Sequence, residues 1–297
     1  RGIGKYKLKR YTIIVNEKAG QGRARKLAKK VADMLRESKK DIEVLKTEKP
    51  QDAKVFASKA KGVSETIIVA GGDGTIFEAI NGMAPDFIPL GIIPGGTANV
   101  LAKELRLPRR AKSLTKMIIE GSFRNIDLGL INEKYFTLMA GIGFDAKVIS
   151  EVKPVMKQIF RKLAYPAAGV KTLLTYRNQE MDIILDNSVC KKAYFAVVSN
   201  ASGYGGPFSL SAEADLTDGI LDVSLFERGR VRDFVKYTLA VLTGRHPKLK
   251  DVKLLRAKEV EVDCKTELLV QADGEVIDKT PVKIEVKNKV LPVLVSR

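Results

Sequence analysis

Only two of the 297 residues are cysteine, Cys190 and Cys264, and each stands alone in an apolar and basic segment. That spacing excludes a disulfide framework and a thiolate metal cluster. The single histidine, His246, lies in a Gly-Arg-His-Pro turn, so triads and zinc sites that need imidazole find little support. No apolar run approaches the ~18 residues of a spanning helix, because Gly, Pro or charge interrupts every candidate, and integral membrane residence is excluded. The chain opens on Arg1-Gly2-Ile3-Gly4-Lys5, with neither Met nor an apolar leader. A processed or trimmed start, no export and a cytoplasmic location are expected. Low hydrophobicity and a short repeated unit are also missing, which sets aside disorder and fibrous architectures.

What is there is a folded chain with 45% hydrophobic residues, long enough for two domains that each bury a core. Fifty-two Lys and Arg face 35 Asp and Glu, a net charge of +17. Such a field favours phosphorylated ligands, nucleic acid or an anionic membrane surface. The cations are scattered along helices, without the aromatic-basic pattern of an RNA-binding sheet or zinc-finger spacing, so nucleic acid is not expected as a partner.

The first half alternates strand and helix. Tyr11–Val15 is a β-branched run that ends in the loop Asn16–Gly22, and Leu27, Val31, Met34 and Leu35 then recur at helical spacing. The unit repeats through Ile42–Leu45 with a helix over Asp52–Lys61, Thr66–Ala70 with a helix through Ile80, and Pro89–Ile93 with a helix over Val100–Leu105. This alternation predicts an α/β domain with a parallel sheet covered by helices. From Tyr135 onward strand candidates dominate: Tyr135–Ala140, Met181–Leu185, Ala193–Ser199, Leu221–Phe226, Val260–Cys264, Leu268–Gln271, Val282–Val286 and Val290–Val295. Helices are expected over about Glu151–Tyr176, broken at Pro166, and Val231–Thr243. The second domain is read as a mainly antiparallel β-sandwich. The boundaries are 8–128 and 129–297, with the last strand able to return to the first domain.

Two glycine-rich loops carry the strongest chemical signal: Gly71-Gly72-Asp73-Gly74-Thr75 and Gly95-Gly96-Thr97-Ala98-Asn99, each between a strand and a helix. Glycine lets backbone N–H groups approach phosphate oxygens, and a helix N-terminus adds a favourable dipole, so the pair reads as one polyphosphate cradle. Glycine that merely tightens the turn is the plainer alternative. Asp73 is harder to explain that way, since an acid in a phosphate loop repels its ligand unless it holds a cation or a reacting hydroxyl. Neither loop is a Walker A element or a dinucleotide fingerprint.

These two loops resemble the catalytic domain of the diacylglycerol kinase and sphingosine kinase family, in particular its bacterial lipid kinase branch. The similarity continues in order through Asn16 with Ala19-Gly20, Asp127-Leu128-Gly129, Gly141–Ala146, Gly203–Gly206, Ala214–Asp222 and Asp273-Gly274-Glu275. It implies a two-domain lipid kinase with its active site in the cleft between an α/β nucleotide domain and a β-rich lipid-substrate domain. ATP with Mg²⁺ is then expected against Asn16, Gly71, Gly72, Gly74, Thr75, Gly95, Gly96 and Thr97. Asp73 matches an acid that positions metal or acceptor, Asp127 another acid facing the cleft, and Asp273 the general base, with Glu275 beside it. Asp273-Gly274 between β runs is equally a hairpin signal. The same resemblance implies a structural Mg²⁺ held by Asp218 and the carbonyls of Asp215 and Ile220, against which stands a simple turn at Asp218-Gly219.

Two positions depart from the family pattern: Glu17 stands where Pro is frequent, and Val100 where many members have an Asp in a metal–water network. Implied partners are ATP, a lipid at an anionic membrane surface reached peripherally from the cytoplasmic side, and a second copy in a homodimer. Glu151–Leu163 is a basic amphipathic segment that fits a headgroup layer, or, more conventionally, a helix facing the core. An NAD kinase shares the Gly-Gly-Asp-Gly loop, and a nonenzymatic nucleotide or lipid sensor on the same fold is a third reading.

Overall fold

Short β-branched runs joined by amphipathic helices build a parallel sheet from β1 (Arg10–Val15), β2 (Asp41–Lys46), β3 (Thr66–Gly71) and β4 (Leu90–Pro94), in the order β2-β1-β3-β4. Ile13, Ile14, Ile67, Ile68, Val69, Leu90, Ile92 and Ile93 are fully buried, as strands covered on both faces require. The helices are α1 (Arg23–Glu37), α2 (Asp52–Ala60), α3 (Asp73–Met83), α4 (Val100–Glu104) and α5 (Ala111–Glu120); α1 packs on α5 and α2 on α3. The computed structural model describes residues 10–151, 179–205 and 208–297. The chain divides into two units, the first running through Ile126 and including Lys289–Arg297, the second Asp127–Asn288.

The second unit is antiparallel. One sheet runs β14 (Val252–Ala257), β13 (Leu221–Phe226), β10 (Phe195–Ser199), β7 (Met139–Ile142), β16 (Leu269–Ala272) and β17 (Glu275–Lys279). A second set joins β9 (Val189–Ala193), β8 (Met181–Leu185), β15 (Glu259–Cys264) and the start of β18 (Val282–Val295). The chain is therefore mixed α/β, parallel in one unit and antiparallel in the other. The end of β18 belongs to the first unit, where Val293 lies parallel to Leu90.

Several elements differ from expectation. Tyr135–Ala140 is two strands, β6 (Lys134–Phe136) and β7, because the Asp273 carboxylate captures the amides of the joint between them. Val282–Val286 and Val290–Val295 are one continuous strand, which runs on through the polar stretch between them although Lys289 takes a left-handed φ of 52°. The helix α5 and the strand β5 (Ser122–Ile131) precede the point where strands were expected to begin. Of the helices expected over about Glu151–Tyr176 only the preceding α6 (Phe144–Glu151) is described; the rest, with the basic amphipathic segment, lies outside the described residues. The helix expected over Val231–Thr243 is α7 (Val231–Leu242), and no described helix is long and apolar enough to cross a membrane.

Within the second unit, β5 forms a hairpin with β6, Gly129 opposite Phe136. A Cβ at Gly129 would lie 2.0 Å from Cζ of the fully buried Phe136 ring. Gly129→Ala should therefore cost about 1–3 kcal/mol by overpacking, read as a thermal midpoint several degrees lower. A melt indistinguishable from the parent chain would contradict this packing.

Candidate active site

Parallel register sets Val15 beside Ala70 and Gly71 beside Pro94, which levels the carboxyl ends of β1, β3 and β4. Asn16, Gly71–Thr75 and Gly95–Asn99 consequently leave the sheet along one edge. The chain goes from β1 to one side for β2 and returns to the other side for β3, so the Asn16 and Gly71 loops flank the reversal where open α/β sheets bind ligands.

The loops are tied to one another. The Gly71 carbonyl accepts both the Gly95 amide at 2.8 Å and the Gly96 amide at 3.0 Å. Asn99 Oδ1 also accepts from the Gly96 amide at 2.8 Å, and Asn99 Nδ2 donates to the Gly96 carbonyl at 3.0 Å. A Cβ on Gly96 would fall 2.5 Å from Gly72 Cα, and one on Gly95 2.3 Å from Ala24 Cβ, so backbone meets backbone here. Arg23 clamps the back of the loops, Nε on the Gly20 carbonyl and Nη2 on that of Gly96, both at 3.2 Å. Asn16 Nδ2 donates to Thr75 Oγ1 at 3.2 Å, and the Thr97 side chain is exposed.

This geometry corrects one expectation. The Gly95 and Gly96 amides hold the Gly71 carbonyl rather than facing outward as phosphate donors. The groups suited to anionic oxygens are the hydroxyls of Thr75 and Thr97 and the first turn of α3, containing Asp73 and Gly74, where N–H groups have no acceptor inside the helix.

Asp73 opens α3, and its Oδ1 accepts from the Leu101 amide at 3.3 Å, in the first turn of α4. Burial pushes its carboxyl above the ordinary Asp range, opposed by the α4 amides. Val100, one of the two departures from the expected pattern, is buried. Glu17, the other departure, pairs with Lys46 at 3.1 Å.

The other acids lie in the second unit. Asp273 and Gly274 form the two-residue turn of the β16–β17 hairpin, with φ of 48° and 86°, so the hairpin reading describes the backbone. The Asp273 carboxylate accepts four hydrogen bonds: from the Thr137 amide (2.8 Å) and hydroxyl (2.7 Å) on Oδ2, and from the Leu138 (2.8 Å) and Met139 (3.1 Å) amides on Oδ1. Burial raises its carboxyl, and those donors oppose the rise. Glu275 follows, exposed, at the start of β17.

Asp127, expected to face a cleft, has 0% exposure; its Oδ2 accepts from the Gly219 amide at 2.6 Å. Asn200 Nδ2 joins the Asp127 and Thr137 carbonyls, 2.9 Å from each. Asp127 thus pins the Asp215–Ile220 loop.

That loop does not suit Mg²⁺ as it stands. Asp218 Oδ2 pairs with Arg256, whose Nε also sits 3.6 Å from Asp222, and Asp218 Oδ1 accepts from the Ile220 amide at 3.1 Å. Asp215 Oδ1 accepts from the Thr217 amide and hydroxyl at 2.9 and 2.7 Å, and the Asp215 carbonyl faces the Asp218 amide at 3.5 Å. Both oxygens of the one ligand carboxylate are engaged, one by a guanidinium. No group of three or more His, Cys, Asp or Glu able to hold a metal occurs among the described residues.

Arg23, Asn99, Thr137 and Arg256 shape these sites and were not among the expected site residues. Asn99 carried a signal, as the final polar residue of the second loop. The other three act across 73, 136 and 38 residues of sequence, and only the fold reveals them.

Two outcomes follow. Because the Asp73 carboxyl is raised in the folded chain, its contribution favours folding most at acid pH and declines as pH rises from 3.8 through the raised value. Asp73→Asn should therefore melt no lower than the parent at neutral pH, and a clear loss of stability would show that the ionised carboxylate is a structural brace. Chelating divalent cations should move the thermal midpoint of the unliganded chain by less than about one degree; a drop of several degrees would mean a cation displaces Arg256.

Comparison with known proteins agrees with this architecture. Residues 10–131 match the family model described as the diacylglycerol kinase catalytic domain, and residues 139–295 that described as the YegS C-terminal NAD kinase beta sandwich-like domain. The diacylglycerol kinase of Bacillus subtilis (strain 168) is 30% identical over 90% of this chain and 90% of its own. That of Mycobacterium tuberculosis (strain ATCC 25618 / H37Rv) is 29% identical over 99% of this chain and 98% of its own. A crystal structure of a diacylglycerol kinase from Bacillus anthracis str. Sterne, 26% identical, superposes with a TM-score of 0.75 over 98% of both chains. With both halves and nearly the whole length matched, the chain belongs to the diacylglycerol kinase family of lipid kinases.

Proposed function

We propose that this chain transfers the γ-phosphoryl group of Mg-ATP to the hydroxyl of diacylglycerol or a similar single-hydroxyl lipid. The observation that carries the reading is the pair of glycine loops locked side by side at the reversal of the parallel sheet, with Asp73 between them and the first turn of α4. In this reading the α3 N-terminal turn, Thr75 and Thr97 hold the phosphate chain, while Asn16 sets the Thr75 hydroxyl.

Phosphoryl transfer of this kind asks the protein mainly for positioning and charge neutralisation. The lipid hydroxyl oxygen attacks the γ-phosphorus, the bond to the bridging oxygen of ADP breaks, and the hydroxyl proton passes to a carboxylate. We assign that acceptor to Asp273 Oδ2. The Thr137 hydroxyl is the one rotatable donor of its four, so turning it away frees a lone pair while three amides hold the carboxylate in place. A carboxyl raised by burial is the better suited to take a proton from an alcohol. Asp73 serves the donor side, and the charge of +17 suits work on an anionic lipid surface, reached peripherally.

The test is transfer of labelled γ-phosphate from Mg-ATP to a panel of lipids, with NAD as a water-soluble acceptor. Label in a lipid, lost in Asp73→Asn, is the expected result; label on NAD alone or on nothing would overturn the reading. For the proton acceptor, Asp273→Asn should lower kcat by about 10²–10⁴ with ATP affinity intact, while Thr137→Val retains turnover. Full turnover in Asp273→Asn would remove the assignment.

A further inference from the structure

Among the described residues, one face of α7 has no partner. Val231, Val235, Leu239 and Leu242 are 45%, 43%, 58% and 49% exposed. At 100° per residue they fall within an arc of about 80°. The buried side chains of the helix, Asp233, Phe234, Tyr237 and Ala240, occupy the opposite arc. Phe234 and Tyr237 pack among Phe144 and Phe226, so the helix is anchored by one apolar face and presents a second. Soluble helices normally show polar residues there.

The surroundings are cationic. Residues 228–251 contain seven Lys and Arg and two acids, Asp233 and Asp251, both buried. Asp233 receives the Arg230 amide at 3.2 Å, and Asp251 is taken by Lys236 at 2.5 Å. Arg230, Arg232, Arg245 and Lys248 are exposed and form no ion pair among the described residues. A second copy of the chain meeting this face would bring like charges together. A layer of anionic headgroups over acyl chains matches both the stripe and its cationic border.

We propose that the exposed face of α7 is a membrane-docking surface, which seats Val231, Val235, Leu239 and Leu242 at the acyl boundary of an anionic bilayer. The proposal rests on the lipid kinase reading for its purpose, and its geometry stands independently. It places the lipid contact on a segment distinct from the basic stretch at Glu151–Leu163.

The chain has no tryptophan, so one introduced residue reports its own environment without background. Leu239→Trp emission should shift to the blue on vesicles rich in phosphatidylglycerol and be quenched by brominated acyl chains. Val63→Trp, exposed on the first unit, should do neither. The pair Val235→Gln with Leu239→Gln should keep the parent's thermal midpoint and reduce vesicle binding at least about tenfold. Its turnover on a short-chain diacylglycerol in detergent micelles should be unchanged. Equal vesicle binding by the double variant would overturn the proposal, as would a parent chain that ignores vesicles and forms a dimer broken by the double variant. A chain that phosphorylates no lipid yet shows the Leu239→Trp shift would refute the kinase reading and support this surface.

Discussion

The Gly71 carbonyl accepts two amides from the neighbouring loop, and the architecture of the first unit follows from that junction. It holds the ends of β3 and β4 together beyond the last ladder pair, Gly71 with Pro94. Only glycine allows it: Gly72 and Gly96 touch through Cα atoms, and Gly95 lies on Ala24 at the start of α1. One loop therefore cannot move without the other, and α3 and α4 are both aimed from the joint. Asp73 completes the arrangement by spanning from the first turn of α3 to the first turn of α4. Preorganisation of this kind is what a phosphoryl-transfer site requires, since donors must be in place before charge develops.

The second unit is organised around acids used as struts. Asp273 gathers three successive amides and a hydroxyl, which separates β6 from β7. Asp127 holds the Gly219 amide, and Arg256 closes the same loop by pairing with Asp218. A guanidinium there supplies positive charge from within the chain, so the loop needs no ion to offset its carboxylates. The proposed chemical role of Asp273 builds on this structural one: three amides fix the group, and the fourth donor can rotate.

The parallel half was legible in the sequence because its buried strands are rich in β-branched residues and the loops after β1, β3 and β4 contain glycine. The two glycine-rich loops stood out by their composition. What could not be read is contact across sequence distance. Nothing near residue 273 announces that its carboxylate will interrupt a strand at Thr137. Nothing near Asp218 announces Arg256. The glycine loops were located by their composition, but that the Gly95 and Gly96 amides would hold the Gly71 carbonyl was not legible there. The α7 helix was predicted, and its second apolar face became meaningful only once Phe234 and Tyr237 identified the side that is buried.

The central claim is that the joined loops of the first unit bind the nucleotide. Amide hydrogen exchange with and without a non-hydrolysable Mg-ATP analogue tests it directly. The account predicts slowed exchange concentrated in peptides spanning residues 71–76 and 95–101, with the α5 helix unchanged. Protection confined to other segments, or no difference at nucleotide concentrations that support turnover, would contradict it.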